Sequence, residues 1–564
     1  MSIKSNFMGY TAFHRTAVAS AMLLGLTACS VTPTPITFEQ KMALVDADRQ
    51  AMFENQEPIT KPISLEEAMA RAVKYNLKER LALMEKLAQD NILGLQSFDM
   101  LPSVAASAGW KARSNEAASS SKSIATGSES LVSSTSQDKQ SSSADLTVSW
   151  NVLDFGIGYF GSKAQANNVL AAEERRRSVV ADIIQKVRGA YWEAVTAQEL
   201  QPLVKSTLKD AYSALNTSKK TAEERLISPL ESLQYQKSLL EMISRLETLE
   251  GDLATAKSNL ASLMNLPPAT QYELASQDEA PLTLRYQLED LEMLSMVNRP
   301  EINEEAYRAR NAVLETRSSL MRLLPGASLF VGAHYNSNSY SLNNDWADAG
   351  VQVSWNLLSA FSYSDVKAVA EAKENIADLR RQALRMAVLT QVNLAWQQYK
   401  QVDTQFQRAA ELSKIHQAIL EQSTGAYQNN TQSLVDRVRV ATESVLAKRN
   451  RDRSFAMMQS AYGAIYKAAG LDPLPKSVSG VSVENLSASI AQQDKFLQQG
   501  HMTTDIIASR DVLSKNVGSM SDYDKKQAAG PQDHEAIKPQ LVMLSTGDSL
   551  QETTIIDYTN YVQP

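Results

Sequence analysis

Apolar and polar residues alternate along two stretches of the chain that share the string V-S-W-N. In the first, 144–152, an apolar side chain occupies every second position, and Asp, Thr, Ser and Asn lie between them. The second, 351–357, repeats this alternation 205 positions later. A period of two is typical of β-strands with one apolar and one polar face. Counting a partner strand before each stretch, strands are predicted near 103–113, 144–153, 327–336 and 347–357.

A helical pattern follows each strand pair. Segments 158–265 and 364–470 contain few glycines and prolines. A continuous helix of that length would extend for about 150 Å, so each segment is predicted to fold back once as a helical hairpin. One arm carries a plain heptad series of leucines, namely Leu239, Leu246, Leu253 and Leu260. The two arms of each hairpin are therefore predicted to pack as an antiparallel coiled coil.

These landmarks recur in order, which indicates an internal duplication of about 200 residues. Such a unit is far longer than a solenoid repeat. The Ser-rich segment between the first two strands is predicted to be a solvated loop. The predicted division is a signal peptide at 1–28, a lipidated linker at 29–62, a first repeat at 63–268, an inter-repeat linker at 269–287, a second repeat at 288–473 and an irregular periplasmic tail at 474–564.

The beginning of the chain has the pattern of an export signal. Basic residues precede an apolar run, which ends in the string L-T-A-C at Cys29. This string resembles a bacterial lipobox, in which the peptide is cut before the cysteine and the thiol is acylated. Cys29 is accordingly predicted to be lipidated, and Ser30 after it favours sorting to the outer membrane. A plain signal peptide with an incidental thiol is the alternative.

Composition narrows the function classes. A formal charge of −7 offers no basic surface for nucleic acid. No stretch reaches the roughly 18 consecutive apolar residues of a transmembrane helix, so any membrane span must be made of strands.

The string DFGIGYFG at 154–161 contains a complete G-x-G-x-x-G. A dinucleotide-binding unit would need a second strand after about 30 residues, but here a helical pattern continues instead. The second copy has no glycine at the corresponding place, 358–365. These glycines are therefore interpreted as a bend between strand and helix, and a nucleotide-dependent oxidoreductase is disfavoured. With the five histidines scattered, the chain is predicted not to be an enzyme and to hold no cofactor or metal.

Several short motifs, weak one by one, resemble the TolC family of outer-membrane factors in their order and spacing from about residue 63 to residue 473. They are Leu65-Glu66-Glu67-Ala68, Arg299-Pro300-Glu301, Leu-Pro before each strand pair, V-S-W-N twice, and Tyr191-Trp192. The resemblance implies an α+β membrane protein. Long coiled-coil hairpins would form a periplasmic tunnel, and four transmembrane strands per chain would close a barrel of twelve strands as a homotrimer.

The implied function is a passive outer-membrane channel of a tripartite efflux pump or a type I secretion system. Its partners would be outer-membrane lipid, a periplasmic adaptor (membrane fusion protein) and an inner-membrane pump or ABC transporter. Physics supports association independently, since four strands cannot close a barrel and an open edge in lipid leaves backbone groups unsatisfied. A structural coiled-coil lipoprotein without a channel is the alternative.

The resemblance also implies a constriction where the helices reverse at the periplasmic tip. The candidate residues there are Glu231, Gln432, Asp436 and Arg439. Asp436 matches the family's usual Asp after the turn, whereas Arg439 stands where some relatives carry a second Asp. Asp436 and Arg439 are one turn apart and could pair as helix neighbours. Ordinary solvated coiled-coil charges are an equally open interpretation.

Overall fold

The computed structural model describes residues 34–224, 228–275, 284–471 and 480–500. The predicted signal peptide and Cys29 lie outside them. Ten α-helices and six strands occupy the described ranges. The helices are α1 (Phe38–Phe53), α2 (Leu65–Tyr75), α3 (Leu77–Ser97), α4 (Val152–Glu223), α5 (Pro229–Leu263), α6 (Leu288–Asn298), α7 (Pro300–Met321), α8 (Tyr363–Gln428), α9 (Leu434–Ala469) and α10 (Val483–Gln498). The strands are β1 (Ser103–Ala112), β2 (Ala118–Lys122), β3 (Glu129–Thr135), β4 (Gln140–Asn151), β5 (Gly326–Asn336) and β6 (Asp345–Ser354).

Four strands form one antiparallel sheet in the order β1-β4-β5-β6. The register places residues of like polarity opposite each other: Val148 of β4 lies between Val104 of β1 and Val331 of β5. Strands β2 and β3 form a separate hairpin inside the Ser-rich segment. The prediction of a loop there was wrong, because the segment consists mostly of Ser with Ala, Thr and Lys and has no apolar periodicity that would reveal the pairing.

The long helices pack around α4, which runs for 72 residues. Helix α5 folds back along α4, and α9 contacts α4 as well as its own hairpin partner α8. The four heptad leucines of α5 are buried against α4. Val438 and Val445 of α9 belong to the same apolar cluster. The leucine stripe therefore forms the core that joins the two hairpins.

An aromatic core lies between α4 and α9, formed by Tyr191, Trp192, Phe455 and Tyr462. The rings of Trp192 and Phe455 meet edge to face with their centroids 4.7 Å apart. All four side chains are buried. Tyr191 donates a hydrogen bond from its hydroxyl to the Ile63 carbonyl at 3.2 Å. This bond fixes the entry to α2 against the middle of α4, so the region is held together within one chain.

Helix α10 lies in the segment predicted to be irregular, and that part of the prediction was wrong. Ser482 caps the helix by accepting from the backbone N–H of Asn485. Arg188 of α4 pairs with Asp494 at 2.8 Å, with the Arg188 side chain only 4% exposed. Helix α10 also packs against α2. A single amphipathic helix of 16 residues in a polar tail gives a weak periodic signal, and its stability comes from this docking.

The glycines of DFGIGYFG do not form the predicted bend, since α4 already begins at Val152. Asn151 caps the helix, its side chain accepting from Leu153 N and Asp154 N. A Cβ on Gly158 would lie 3.2 Å from the Asp99 carbonyl oxygen, and one on Gly156 would overlap the Met321 side chain. The glycines permit close packing of the first turns of α4 rather than an unusual backbone angle.

Candidate functional site: the sheet and the helical reversals

The sheet separates apolar from polar side chains onto its two faces. One face carries Val104, Val148 and Val331 as aligned neighbours, and Val351 of β6 lies on the same face opposite Leu329. These side chains are exposed although they form a continuous apolar surface: Val104 and Val351 are each 67% exposed. An exposed apolar surface of this kind marks an interaction site. The strands thus separate apolar from polar side chains as the alternation predicted.

The opposite face carries small and polar side chains together with the aromatic rings of Phe330 and Trp346. Thr147 and Ser149 of β4 lie beside Gly332 and Phe330 of β5. His334 of β5 lies between Asp145 of β4 and Asp348 of β6. In a closed barrel with its apolar face in lipid, this face would line the interior.

The two outer strands, β1 and β6, each pair along one side only. The helices that flank the sheet follow the same order: α3 packs on α4, α4 on α7, and α7 on α8. Both outer helices have exposed apolar stripes at helical spacing. The stripe on α3 includes Leu81, Met84, Ile92 and Leu95, and that on α8 includes Ile376, Leu379, Met386 and Leu394. Within the described ranges, strand edges and apolar helix stripes are thus left without a partner at both sides of the sheet and its helices.

The first reversal joins α4 to α5, and the turn residues 225–227 lie outside the described ranges. Ser228 caps α5 by accepting from Glu231 N, and Pro229 occupies the first turn. Glu231 therefore stands at a helix N-terminus, where the macrodipole favours a carboxylate. It also accepts a hydrogen bond from the Tyr235 hydroxyl at 3.2 Å.

The second reversal joins α8 to α9 through Asn430, which has a left-handed φ of 57°. Ser433 caps α9 by accepting from Asp436 N, and its hydroxyl donates to Asp436 Oδ2 at 2.7 Å. Gln432 accepts a hydrogen bond from Ser423 at 2.8 Å. Arg439 lies 3.6 Å from Asp436, as the hypothesis of a helix-neighbour pair requires. All four candidate residues therefore make local contacts within their own hairpin.

The two reversals are close enough for their charges to interact. The hydrogen bond to Glu231 raises the pKa of Tyr235, and the negative charge of Asp436 on the other hairpin adds to the effect. The tip residues thus lie together although about 200 positions separate them in sequence.

One contact between the hairpins was missed by the sequence reasoning. Arg437 of α9 binds Asp210 of α4 with 2.6 Å between Nη2 and Oδ2. The guanidinium also lies 5.2 Å from the ring centroid of Tyr427 on α8. Arg437 therefore connects three helices just above the second reversal. Its position between Asp436 and Arg439 did not indicate this contact, because a partner on another hairpin is not found at any fixed spacing along the sequence.

The described ranges also bear on two other kinds of site. None of the helices there is long and apolar enough to cross a membrane. In the same ranges, no group of three or more His, Cys, Asp or Glu side chains is placed to hold a metal ion.

The arrangement of a four-stranded sheet and long antiparallel helical hairpins is similar to that of outer-membrane channels of known structure. The Campylobacter jejuni CmeC outer membrane channel superimposes with a TM-score of 0.57 at 14% identity, over 78% of this chain and 94% of that one. The outer-membrane channel OprN superimposes with a TM-score of 0.56 at 17% identity, over 72% of this chain and 90% of that one. These likenesses establish the fold.

The sequence itself matches the family model described as outer membrane efflux protein, over residues 80–266. Protein CyaE of Bordetella pertussis is 24% identical over 203 residues, which make up 35% of this chain and 42% of that protein. The match thus spans less than half the length of that relative. The predicted resemblance to the TolC-like outer-membrane factors, the family of outer membrane efflux proteins, is confirmed.

Proposed function

We propose that the chain is one subunit of a trimeric outer-membrane channel, a passive conduit that carries cargo from a periplasmic adaptor and an inner-membrane transporter to the exterior. The observation that carries the proposal is the four-stranded sheet with an exposed apolar face and two unpaired edges. In lipid, each unpaired backbone group would cost several kcal/mol. Closing the edges onto neighbouring copies removes that cost.

The helical stripes support the same assembly. If β1 of one copy pairs with β6 of the next, α3 of the first comes beside α8 of the second. Both helices then cover their exposed leucines and methionines. Three copies supply twelve strands, within the range of natural barrels. The helices would continue the barrel as a periplasmic tunnel, with the two reversals of each copy at its far end.

The tip contacts support a resting pore that is narrowed by polar bonds between hairpins. Arg437 holds α9 to Asp210 of α4 through an ion pair whose side chains are partly exposed. Solvent screens such a pair, so it contributes at most about 1 kcal/mol. Loosening the contact would let the second hairpin move away from the first. Glu231, Gln432, Asp436 and Arg439 would line the tip around it.

Two measurements test the channel. The mass of the detergent-extracted protein, corrected for bound detergent, should be that of a trimer. The trimer should then conduct ions across a planar lipid bilayer. A stable monomer, or a trimer that never conducts, would favour the structural coiled-coil lipoprotein.

The tip contact is tested by Arg437→Ala, which should raise single-channel conductance. Arg408→Ala is the matched control, because Arg408 is exposed on α8 and lies away from the candidate tip residues. Equal conductance in both variants and in the wild type would show that Arg437 does not hold the tip closed.

Acylation of Cys29 belongs to the same proposal. Incorporation of labelled palmitate should occur in the wild type and be absent from Cys29→Ser, while trimer assembly should survive in the variant. Labelling that persists in Cys29→Ser would exclude this lipid anchor.

A further inference from the structure

His334 has a carboxylate at each of its ring nitrogens on the polar face of the sheet. Nδ1 lies 2.7 Å from Oδ1 of Asp145, and Nε2 lies 3.2 Å from Oδ1 of Asp348. The imidazole ring stacks on the indole ring of Trp346, with the ring centroids 5.2 Å apart. Ser107 of β1 donates to the other oxygen of Asp145 at 3.2 Å. Because Asp145, His334 and Asp348 belong to β4, β5 and β6, this cluster, with Ser107, spans the whole sheet.

Space for the imidazole comes from a glycine in its own strand. A Cβ on Gly332 would overlap His334 Nε2 and lie 2.7 Å from Asp348 Oδ1. The ring therefore lies along the sheet surface, over the backbone of Gly332. This geometry keeps the three charged groups together on one face.

The contacts define the protonation state that fits the cluster. An ionised carboxylate only accepts hydrogen bonds, so both ring nitrogens must carry protons for both bonds to form. The imidazolium with two carboxylates has a net charge of −1. When one proton leaves the ring, one nitrogen faces a carboxylate with a lone pair, and the net charge becomes −2.

Few other charged side chains lie on the polar face to compensate for this change in net charge. Among the residues of the four strands, the other charged side chain on the polar face is that of Lys111 in β1. Lys111 lies opposite Ser141, which is four residues from Asp145 along β4. Asp345 of β6 lies opposite Tyr335, and both side chains belong to the apolar face of the sheet. Counting Lys111, the polar face of each chain changes from neutral to −1 when the ring loses its proton.

This inference rests on the proposed channel and concerns what passes through it. We propose that Asp145, His334 and Asp348 form a proton-dependent cation filter in the barrel, with three copies of the cluster facing the pore. While the imidazoles are charged, the pore discriminates weakly between cations and anions. Once they are neutral, the uncompensated carboxylates concentrate cations along the wall, as charged clefts do for counter-ions.

The test is the reversal potential of the trimer in a bilayer under a KCl gradient, measured at about pH 5 and about pH 9, on either side of the ordinary imidazole pKa. In the wild type, the ratio of K⁺ to Cl⁻ permeability should rise by about twofold or more at the higher pH. His334→Gln should keep the high ratio at both pH values. His334→Lys should keep the low permeability ratio at both pH values, because the introduced ammonium group stays charged.

The matched control is His416→Gln, which removes a histidine on α8, far along the chain from the sheet strands. It should retain the full pH dependence of the wild type. Asp348→Asn should lower the high-pH ratio. A wild-type ratio that does not change with pH, or a pH dependence that survives in both His334 variants, would overturn the filter while leaving the channel intact. A trimer that never conducts would instead overturn the proposed function.

Discussion

Tyr191 in the aromatic core is completely buried, whereas Val351 in β6 is 67% exposed. Both side chains lie in regular elements with a clear apolar pattern. The aromatic core is completed by residues of the same chain, from α4, α9 and the entry to α2. The apolar face of the sheet has no such cover from the described residues of its own chain. The difference teaches that an apolar pattern predicts a buried face, but not whether protein or lipid buries it.

The largest effect is expected from Phe455→Ala, which tests the aromatic core. The ring packs on Trp192 and Phe406, and its loss leaves a cavity between α4, α8 and α9. Large-to-small changes at such sites cost about 3–5 kcal/mol. We expect the midpoint of unfolding to fall in detergent without a change in the oligomeric mass of the folded fraction. An unchanged midpoint would mean that the aromatic core does not carry the stability of this region.

The proposed contact of the sheet's apolar face with lipid is tested by placing a charged side chain in the middle of β6. Val351→Lys should destabilise the membrane-inserted protein by about 2–4 kcal/mol, since lysine on the lipid face of a barrel near mid-depth is penalised by that amount. Gln352→Lys is the matched control, because its side chain projects from the opposite face of the strand. Folding yield into lipid vesicles checks the pair. Equal yields would place both residues away from lipid.

A smaller effect is expected where two copies are proposed to meet. Leu379→Glu removes an exposed leucine from the stripe on α8, and burying such a side chain contributes about 1.5–3 kcal/mol. The variant trimer should dissociate on dilution at a protein concentration about tenfold or more above that of the wild type. Helix content should be unchanged. Arg380→Glu, one position along the same helix, should leave the trimer intact. Equal dissociation in both variants would argue against the stripe as an interface.

The smallest effect concerns how α10 is docked. Glu57 accepts hydrogen bonds from Lys74 Nζ and from the backbone N–H of Val483 at the start of α10. The Lys74 bond does most to lower the Glu57 pKa, and burial opposes it. Because the folded-state pKa is lowered, this contribution to stability is present above the ordinary carboxylate range and disappears as the pH falls through the folded value.

Glu57→Gln should therefore reduce the hydrogen-exchange protection of Val483 near neutral pH, by less than about fivefold, since a partly exposed ion pair contributes at most about 1 kcal/mol. The wild type should lose the same protection only in acid. Exposed Glu54→Gln serves as the control. Unchanged protection in Glu57→Gln would show that other contacts dock the helix.

Much of the architecture follows from local pattern. The alternation around V-S-W-N gave strands within a few residues of β4 and β6, because a period of two is set by the strand backbone itself. The heptad leucines of α5 gave the coiled-coil contact with α4, because a seven-residue repeat keeps one face of a helix on its partner. The candidate tip residues were found near the reversals, and Asp436 and Arg439 pair as their spacing of one turn allows.

Other features had no local pattern to reveal them. The glycines of DFGIGYFG were misread as a bend, since their purpose is the approach of Asp99 and Met321 from distant parts of the chain. Arg437 looked like one charge among several until α4 brought Asp210 beside it. Helix α10 was missed because docking against α2 and α4 stabilises it more than its own periodicity does.

The sequence by itself determined the four strands of the main sheet, the two long helical hairpins and their apolar faces, because backbone geometry fixes the periods of strand and helix. Only the tertiary structure decided which distant charges meet. The placement of His334 between Asp145 and Asp348 depends on the register of three strands, and a shift of one residue would move each side chain to the opposite face. Register is set by the packing of the whole sheet, so no stretch of sequence read alone contains it.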